Sequence, residues 1–290
     1  MKKAVCFPLL PAGLTRYNLL HEIFQCSSFM IGVFDSGLGG LSVLAAIEQR
    51  LPQADLCYLA DFACAPYGDK GDEFIRDRAL AISRYFVARG CSLIVVACNT
   101  ATAAAISMLR EALPTITVIG VEPGVKPAAA SSKSGRIAVL STELTARSVR
   151  LASLVQRYAQ DVVVDILPCP GWADQVDTLC LDTPEFMAAI RKTLVPVLEA
   201  GADRIVIGCT HYSFLEPQIS HIIAGRAELV DVGSAIAEQC VRLAGDAAQG
   251  SARLELLATA RPERLQAALA AFGLTPLFQR QTEAPRQVDI

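Results

Sequence analysis

The sequence predicts an α/β protein with parallel sheets and helices on both sheet faces, built from two related halves. From Met30 onward, short β-branched runs alternate with longer helical patterns, which is the rhythm of repeated βαβ units. A length of 290 residues is large for a single core and favours two domains. A composition that is 52% hydrophobic and 19% charged is typical of a globular chain.

Eight strands are predicted from short runs rich in Ile, Val and Leu, at 31–35, 55–60, 92–97, 116–121, 136–141, 162–167, 204–208 and 228–232. Helical periodicity follows seven of these runs, at 39–51, 71–89, 99–112, 143–159, 184–200, 214–224 and 234–247. A Pro/Gly/Ser-rich stretch over 121–135 predicts a crossing between the halves. After residue 248 we predict a helix over 261–272 and a polar tail, packed back on the first half.

An internal similarity supports two related halves. The segment from Gly90 to Cys98 aligns without gaps with the segment from Gly201 to Cys209, and four of the nine positions are identical. Chance is the alternative explanation, because all buried strands are rich in Ile and Val. The cysteine at the same step of both segments favours duplication. Two halves that face each other would place two equivalent thiols across one cleft.

The charge and cysteine content exclude several classes of protein. The net charge is −3 and no Lys/Arg cluster forms a basic stripe, so nucleic acid is not expected as a principal partner. No apolar run approaches the roughly 20 residues that span a bilayer, so no membrane partner is expected. The ten cysteines form no Cys-x-x-Cys pair, which argues against a zinc site. The length of the chain and its α/β patterning argue against a disulfide scaffold. Reduced thiols in the cytoplasm are the simpler interpretation.

The first 29 residues stand apart from this pattern. Their basic start and apolar run weakly resemble a signal peptide, but two prolines interrupt the run and no convincing cleavage site follows. A second methionine, Met30, stands directly before the first predicted strand. We therefore predict an N-terminal extension over residues 1–29, with an upstream start codon as the alternative explanation.

Two cysteines are the main candidates for chemistry. Ligands of parallel sheets bind beyond the carboxyl ends of the strands, and Cys98 and Cys209 each end a predicted strand and begin a helix. A free thiol has a pKa of about 8.5, and a helix N-terminus lowers it. Each cysteine therefore sits where a thiolate could be poised. The alternative, a buried cysteine acting as a small hydrophobe, is preferred for the others singled out: Cys57, Cys91, Cys180 and Cys240.

The turn that begins at Asp35 is a second candidate site. Its glycines let the backbone approach a ligand closely, and Ser36 with nearby N–H groups could hold a carboxylate at the helix start. The turn lacks the spacing of a dinucleotide-binding motif. A helix cap is the alternative role for Asp35. His211 lies two residues past Cys209, where it could tune the pKa of that thiol.

Four motifs together resemble glutamate racemase, of the aspartate/glutamate racemase superfamily. The resemblance covers about residues 30–282, and the motifs occur in the family's order and spacing. They are Asp35-Ser36-Gly37-x-Gly39-Gly40, Pro66-Tyr67-Gly68, Cys98-Asn99-Thr100-Ala101 and Gly208-Cys209-Thr210-His211. The resemblance implies two pseudo-symmetric three-layer α/β/α domains with the active site in the cleft between them. By this analogy the first domain is 30–122 plus 234–290, and the second is 123–233.

The resemblance also implies the roles of individual residues. Cys98 and Cys209 would be the catalytic thiols that racemise L- and D-glutamate, assisted by Asp35 and His211. No metal or cofactor is implied, and no lysine within the motifs could bind pyridoxal phosphate. The residues implied to hold the substrate are Asp35, Ser36, Pro66, Tyr67, Gly68, Cys98, Asn99, Thr100, Thr142, Thr145, Cys209, Thr210 and His211.

The sequence departs from the family at three positions near the cleft. Asp177 stands where the family often has glutamate, Ser213 where it usually has proline, and Leu144 where it usually has glycine. These departures keep other functions open: a racemase for another acidic amino acid such as aspartate, a catalytically silent amino-acid-binding regulatory protein, or a thiol hydrolase.

The resemblance further implies a physiological setting. D-Glutamate would supply peptidoglycan synthesis in the cytoplasm, and the chain would form a homodimer. Some family members with N-terminal extensions respond to a cell-wall precursor, so such an effector is a further expected partner.

Overall fold

A computed structural model describes residues 29–290. The extension predicted over residues 1–29 lies outside the described residues, except for Phe29. The strands are β1 (Met30–Asp35), β2 (Asp55–Ala60), β3 (Cys91–Val96), β4 (Thr117–Gly120), β5 (Arg136–Ser141), β6 (Val163–Pro168), β7 (Arg204–Ile207), β8 (Glu228–Val230), β9 (Leu254–Ala258) and β10 (Arg286–Gln287). All eight predicted strands are confirmed to within two residues at each end.

The strands form two sheets in which every neighbouring pair is parallel. The six-stranded sheet has the order β10-β9-β2-β1-β3-β4, and the four-stranded sheet has the order β6-β5-β7-β8. The segment β2-β1-β3-β4 therefore corresponds, strand for strand, to the whole of the second sheet. This correspondence supports the duplication inferred from the sequence, because β3 and β7 occupy equivalent positions in the two sheets. These are the two strands that precede Cys98 and Cys209.

The helices cover both faces of the sheets and complete two three-layer α/β/α domains, as predicted. They are α1 (Gly40–Arg50), α2 (Asp72–Ala88), α3 (Asn99–Ala112), α4 (Val125–Ser131), α5 (Glu143–Ala146), α6 (Val149–Tyr158), α7 (Trp172–Asp177), α8 (Pro184–Glu199), α9 (Glu216–Ile223), α10 (Gly233–Leu243), α11 (Glu263–Ala271) and α12 (Thr275–Arg280). Three short 3₁₀ helices occur at Tyr67–Asp69, Thr210–Leu215 and Gly245–Ala248.

Apolar side chains form a core on each face of each sheet. Helix α1 shows why the sequence forms these layers: Leu41, Leu44 and Ile47 recur at helical spacing and are fully buried against the six-stranded sheet. Each such side chain contributes about 1.5–3 kcal/mol by its burial. Among residues 29–290, no helix combines the length and apolar character that crossing a membrane requires.

Several predicted elements differ from the structure. The single helix predicted over 143–159 is wrong: α5 ends at Ala146, and a new helix begins after Ser148, whose side chain accepts a hydrogen bond from the Leu151 N–H at 3.1 Å. The crossing over 121–135 contains α4, and α7 and α12 were also not predicted.

The C-terminal segment returns to the first sheet, as predicted, but contributes more than a helix and a tail. Strand β9 pairs with β2 along its whole length, and β10 pairs with β9. The residues of β9, Leu-Glu-Leu-Leu-Ala, are mostly good helix formers. Pairing with a neighbouring strand overrides that local preference, which is why the sequence pattern did not indicate a strand.

The break between α5 and α6 gives a test of the fold. Ser148→Ala removes the side-chain oxygen that caps α6 and is expected to lower the free energy of unfolding by about 1 kcal/mol. Urea denaturation would measure the change. Ser153→Ala is the matched control, because the exposed Ser153 hydroxyl donates to the Val149 carbonyl within α6 and caps nothing. Equal stability of Ser148→Ala and the wild type would contradict the assigned helix start.

Candidate active site

A cavity of about 250 Å³ lies between the two domains, at the carboxyl ends of the strands of both sheets. Cys98 and Cys209 both line it, each two residues past the end of its strand and each 6% exposed. The two thiols therefore reach one cavity from opposite domains. The other residues that line the cavity are Ser36, Pro66, Tyr67, Gly68, Asp69, Thr100, Thr142, Glu143, Cys169, Pro170, Gly171, Ala173, Asp174, Asp177, His211 and Tyr212.

Cys98 caps the N-terminus of α3. Its Sγ accepts a hydrogen bond from the Ala101 N–H at 3.4 Å and lies 3.8 Å from the Ser36 hydroxyl. Burial nevertheless raises the pKa of the Cys98 thiol to about 12, with a further contribution from the negative charge of Asp35. Desolvation therefore outweighs the effect of the helix terminus on the pKa of this thiol. Cys98 is a neutral thiol.

Asp35 stands behind Ser36 and is fully buried. Its carboxyl accepts hydrogen bonds from the Gly37 N–H at 2.9 Å, the Thr210 hydroxyl at 2.8 Å and the Ser36 hydroxyl at 3.3 Å. Burial raises the pKa of Asp35, although His211 opposes that shift. Helix α1 begins with Gly39 as its N-cap residue, so Asp35 orders the preceding turn and is not a helix cap.

Cys209 has a different partner. Its Sγ lies 3.8 Å from Nδ1 of His211, and Nε2 of the same ring lies 3.1 Å from the Asp177 carboxylate. Burial lowers the pKa of His211, but the charge and hydrogen bond of Asp177 raise it more, so the pKa is well above its ordinary value. Burial raises the pKa of Asp177, and the charge and hydrogen bond of His211 together bring it below its usual range. The imidazolium therefore places a positive charge and an N–H donor beside the second sulfur.

The turn of the first domain packs directly on this pair from the second domain. The Leu38 N–H donates to Asp177 at 2.9 Å. A Cβ at Gly37 would lie 2.6 Å from the Asp177 carboxylate, and one at Gly39 would lie 2.5 Å from His211 Nδ1. Only glycine allows this approach of the two domains. The turn is held from below by Tyr58, whose hydroxyl donates to the Gly37 carbonyl at 2.7 Å.

Threonine hydroxyls join the two domains at another edge of the cavity. The Thr100 hydroxyl, at the start of α3, lies 3.0 Å from that of Thr142 and 3.2 Å from that of Thr145. Thr142 also caps α5, because its hydroxyl accepts a hydrogen bond from the Thr145 N–H. These short polar side chains can exchange partners with a bound carboxylate, since each hydroxyl both donates and accepts.

The structure brings all the predicted site residues together but sorts them into two layers. Nine line the cavity: Ser36, Pro66, Tyr67, Gly68, Cys98, Thr100, Thr142, Cys209 and His211. Four do not line it, and their contact with a substrate stays a prediction: Asp35, Asn99, Thr145 and Thr210. Asn99 shows the reason, because its amide is turned to the Val121 carbonyl at 3.2 Å.

Sequence reasoning missed part of the cavity wall. Asp69, Glu143 and Asp174 line the cavity with Asp177, and no lysine or arginine is among the lining residues. The Cys169–Asp177 segment supplies much of the second domain's wall. Its Trp172 packs against Tyr212 in an edge-to-face arrangement with ring centroids 5.4 Å apart. The signal in the sequence was the Cys-Pro-Gly-Trp run after a predicted strand, which is the position where ligands of parallel sheets bind.

The three departures from the family pattern fit the structure in different ways. The shorter Asp177 still reaches His211, so the loss of one methylene is accommodated. The Ser213 hydroxyl donates to Asp231 at 2.6 Å and does not line the cavity. Leu144 packs against the core of the first domain and so adds an apolar contact between the domains.

The cleft and its two facing thiols define the class of protein. The family model described as Asp/Glu/Hydantoin racemase matches residues 31–240, and the chain belongs to that family.

Comparison with individual proteins narrows the class. A glutamate racemase of Pseudomonas aeruginosa (strain UCBPP-PA14) is 44% identical over 216 residues, which are 74% of this chain and 82% of the relative. The Escherichia coli glutamate racemase structure, solved with L-glutamate and the activator UDP-MurNAc-Ala, has a TM-score of 0.78 and 28% identity, covering 90% of this chain and 98% of that one. The Thermus thermophilus glutamate racemase, solved with β-chloro-D-alanine, has a TM-score of 0.72 and 32% identity, covering 91% and 98%. Within the family the chain is a glutamate racemase, and therefore an isomerase.

The His211–Asp177 pair gives a test of the site's electrostatics. Asp177→Asn removes the charge that keeps His211 protonated, so burial should then dominate and the pKa of His211 should fall. An NMR titration of the imidazole would measure the pKa. Asp174→Asn is the matched control, because Asp174 lies in the same wall and acts on His211 through its charge alone. An equal fall in both variants would contradict the assigned pair.

The same pair predicts how stability depends on pH. The folded-state pKa of His211 lies above the unfolded value of about 6.5, so protonation stabilises the folded chain fully below that pH. This stabilisation is lost as the pH rises through the folded-state pKa. The Asp177→Asn variant should therefore lose less stability than the wild type between neutral and alkaline pH, as measured by urea denaturation.

Proposed function

We propose that the two thiols racemise glutamate by removing the Cα proton on one face and delivering a proton on the other. The position of Cys98 and Cys209 in one cavity, on opposite domains, is the observation that carries this proposal. A single base could not reach both faces of the carbon without moving. After each turnover the protonation states of the two sulfurs are exchanged, so the reverse reaction uses the same groups in opposite roles.

The two sulfurs begin in different electrostatic surroundings. Burial keeps Cys98 as a neutral thiol, which is the form that delivers a proton. Cys209 lies 3.8 Å from Nδ1 of His211, and we propose this sulfur as the base. A bound substrate changes this starting state, because its ammonium group brings a positive charge close to both sulfurs.

Short polar groups are proposed to hold the substrate. The cavity offers the hydroxyls of Ser36, Thr100 and Thr142. Hydrogen bonds of these groups to the α-carboxylate would stabilise the negative charge that develops as the proton leaves. The lining carboxylates Asp69, Asp174 and Asp177 provide partners for the substrate ammonium.

The division of labour between the supporting residues follows from their contacts. We propose that Asp35 acts through Ser36 on the Cys98 side, and that Asp177 acts through His211 on the Cys209 side. Thr210 supports the Cys98 side, because its hydroxyl donates to Asp35. The contacts of Asp35, Ser36 and Cys98 with Thr210 thus combine residues from both domains, whereas Asp177, His211 and Cys209 all lie in the second domain.

Sheet membership supports domain boundaries near the two crossings. We propose that the first domain comprises 30–122 plus 234–290, and the second 123–233. Strand β4 ends at Gly120 in the first sheet, and β5 begins the second. Helix α10 packs on α1 of the first domain, which supports the return of the chain near residue 234.

The physiological setting is proposed from the relatives. D-Glutamate made by this chain would feed peptidoglycan synthesis in the cytoplasm, and the active form would be a homodimer. The Escherichia coli structure contains UDP-MurNAc-Ala as an activator, which supports a similar effector for this chain.

Exchange of the α-proton in heavy water tests the two-thiol mechanism. Cys98→Ser and Cys209→Ser are each expected to lower racemisation by at least about 10²-fold, the usual contribution of a positioned acid or base. Each variant should still exchange the α-proton of one enantiomer, and the two variants should favour opposite enantiomers. Circular dichroism would follow racemisation, and NMR would follow the exchange.

Cys169→Ser is the matched control for this experiment. Cys169 lines the same cavity, but its thiol donates to the Leu167 carbonyl at 3.3 Å. This variant should keep both racemisation and exchange. Equally fast exchange of both enantiomers by both Cys98→Ser and Cys209→Ser would refute the assignment. Binding of glutamate without exchange in the wild type would instead indicate a silent binding protein, and faster turnover of aspartate would indicate the other substrate.

A further inference from the structure

Asp61 is a buried carboxylate that the proposed mechanism does not use. It follows β2 directly and is fully buried, yet it does not line the cavity. Four donors surround it: the Tyr67 hydroxyl at 2.5 Å, the Thr259 hydroxyl at 2.8 Å, and Nε and Nη2 of Arg78 at 3.0 and 2.7 Å. A buried carboxylate with this many partners is a fixed anchor, because any movement leaves a donor or the charge unpaired.

The four donors come from separate parts of the first domain. Arg78 lies on α2, Thr259 follows β9, and Tyr67 begins the short 3₁₀ helix that forms one wall of the cavity. Thr259 also accepts a hydrogen bond from the Ala63 N–H at 2.9 Å, at the base of the same loop. Asp61 itself is bonded to the start of the turn after β1, because its N–H donates to the Asp35 carbonyl at 2.9 Å. The loop from 61 to 69 is thus fastened at several points.

Tyr67 connects this anchor to the cavity. Its ring is almost completely buried, packs in the same apolar cluster as Cys98, and lines the cavity. Burial and the nearby Asp61 charge raise the pKa of the Tyr67 phenol well above its ordinary value, so its O–H remains a donor. Since that O–H donates to Asp61, Tyr67 presents its ring to the substrate and not its hydroxyl.

We propose that Asp61 and Arg78 are positioning residues: they hold the Tyr67 hydroxyl and thereby set the wall of the substrate cavity beside Cys98. The Arg78 guanidinium is essential to this geometry, because its fork binds both carboxylate oxygens and leaves Oδ2 aligned for Tyr67. A lysine at this position would keep the charge and lose the fork. The role deepens the proposed racemisation and rests on it, since it concerns the shape of the same cavity.

The test compares Arg78→Lys, Tyr67→Phe and the double variant. Because the wall contacts the substrate before and during the reaction, each single variant should raise KM for both enantiomers on the order of 10-fold, with a smaller change in kcat. The KM of the double variant should not exceed that of the more impaired single variant, since both changes break the same connection. Calorimetric Kd values for D-glutamate should rise in parallel with KM.

Arg136→Lys is the matched control. Arg136 also forms a two-pronged pair, with Asp165 at 2.7 and 3.0 Å, but neither residue lines the cavity. It should leave KM and Kd unchanged. A purely structural role for Arg78 predicts a lower Tm with unchanged KM and Kd, and that result would overturn the proposal.

Two further outcomes also decide against the positioning role. Single-variant effects that multiply in the double variant would show that Arg78 and Tyr67 act separately. If Arg78→Lys fails to fold, Tyr67→Phe still tests the proposal, because it removes only one oxygen. A KM of Tyr67→Phe equal to that of the wild type would overturn the proposal. Failure of the two-thiol mechanism would appear instead in the cysteine variants, which keep Asp61, Arg78 and Tyr67 intact. The Kd values test the positioning role separately, because binding of glutamate requires no turnover.

Discussion

The contact between the turn after β1 and the His211–Asp177 pair is the constraint on which the site depends. Two parallel sheets each present a thiol at the carboxyl end of a strand, but the thiols share a space only when the domains meet closely. The glycines of the turn permit that approach, and the Leu38 N–H bonds the Asp177 carboxylate across it. A side chain at either Gly37 or Gly39 would force the domains apart and separate the two walls of the cavity.

This contact also explains how one fold gives two similar thiols different surroundings. Cys98 lies among neutral hydroxyls near a buried carboxyl, where desolvation dominates its titration. Cys209 lies beside an imidazolium whose charge is maintained by Asp177. The duplicated strands supply equivalent positions, and the residues that follow them supply the asymmetry. A reversible acid/base reaction benefits from such a difference, because one sulfur must carry the proton while the other does not.

The sequence predicted the parts of the structure that depend on local patterns. All eight strands predicted from apolar runs are present, because buried parallel strands need little beyond continuous Ile, Val and Leu. Strand β9 was missed because its residues favour a helix until β2 pairs with them. The start of α6 was missed because it depends on the single hydroxyl of Ser148.

The candidate site divides in the same way. The cysteines and the turn after β1 were found from their positions at strand ends. The contacts among the residues behind the cavity were not found, because Asp35 and Thr210 are 175 positions apart in the sequence. Asp61 gave no signal, because Arg78 and Thr259 reach it from α2 and from the end of β9, a strand that was not predicted. Local chemistry is visible in a sequence, whereas contacts between distant segments appear only in the folded chain.

A crystal structure with glutamate bound would test the central claim most directly. The account predicts that Cα lies between the two domains, with the Sγ atoms of Cys98 and Cys209 on opposite faces and each about 3.5 Å away. A substrate bound with both sulfurs on one face of Cα, or outside this cavity, would contradict it.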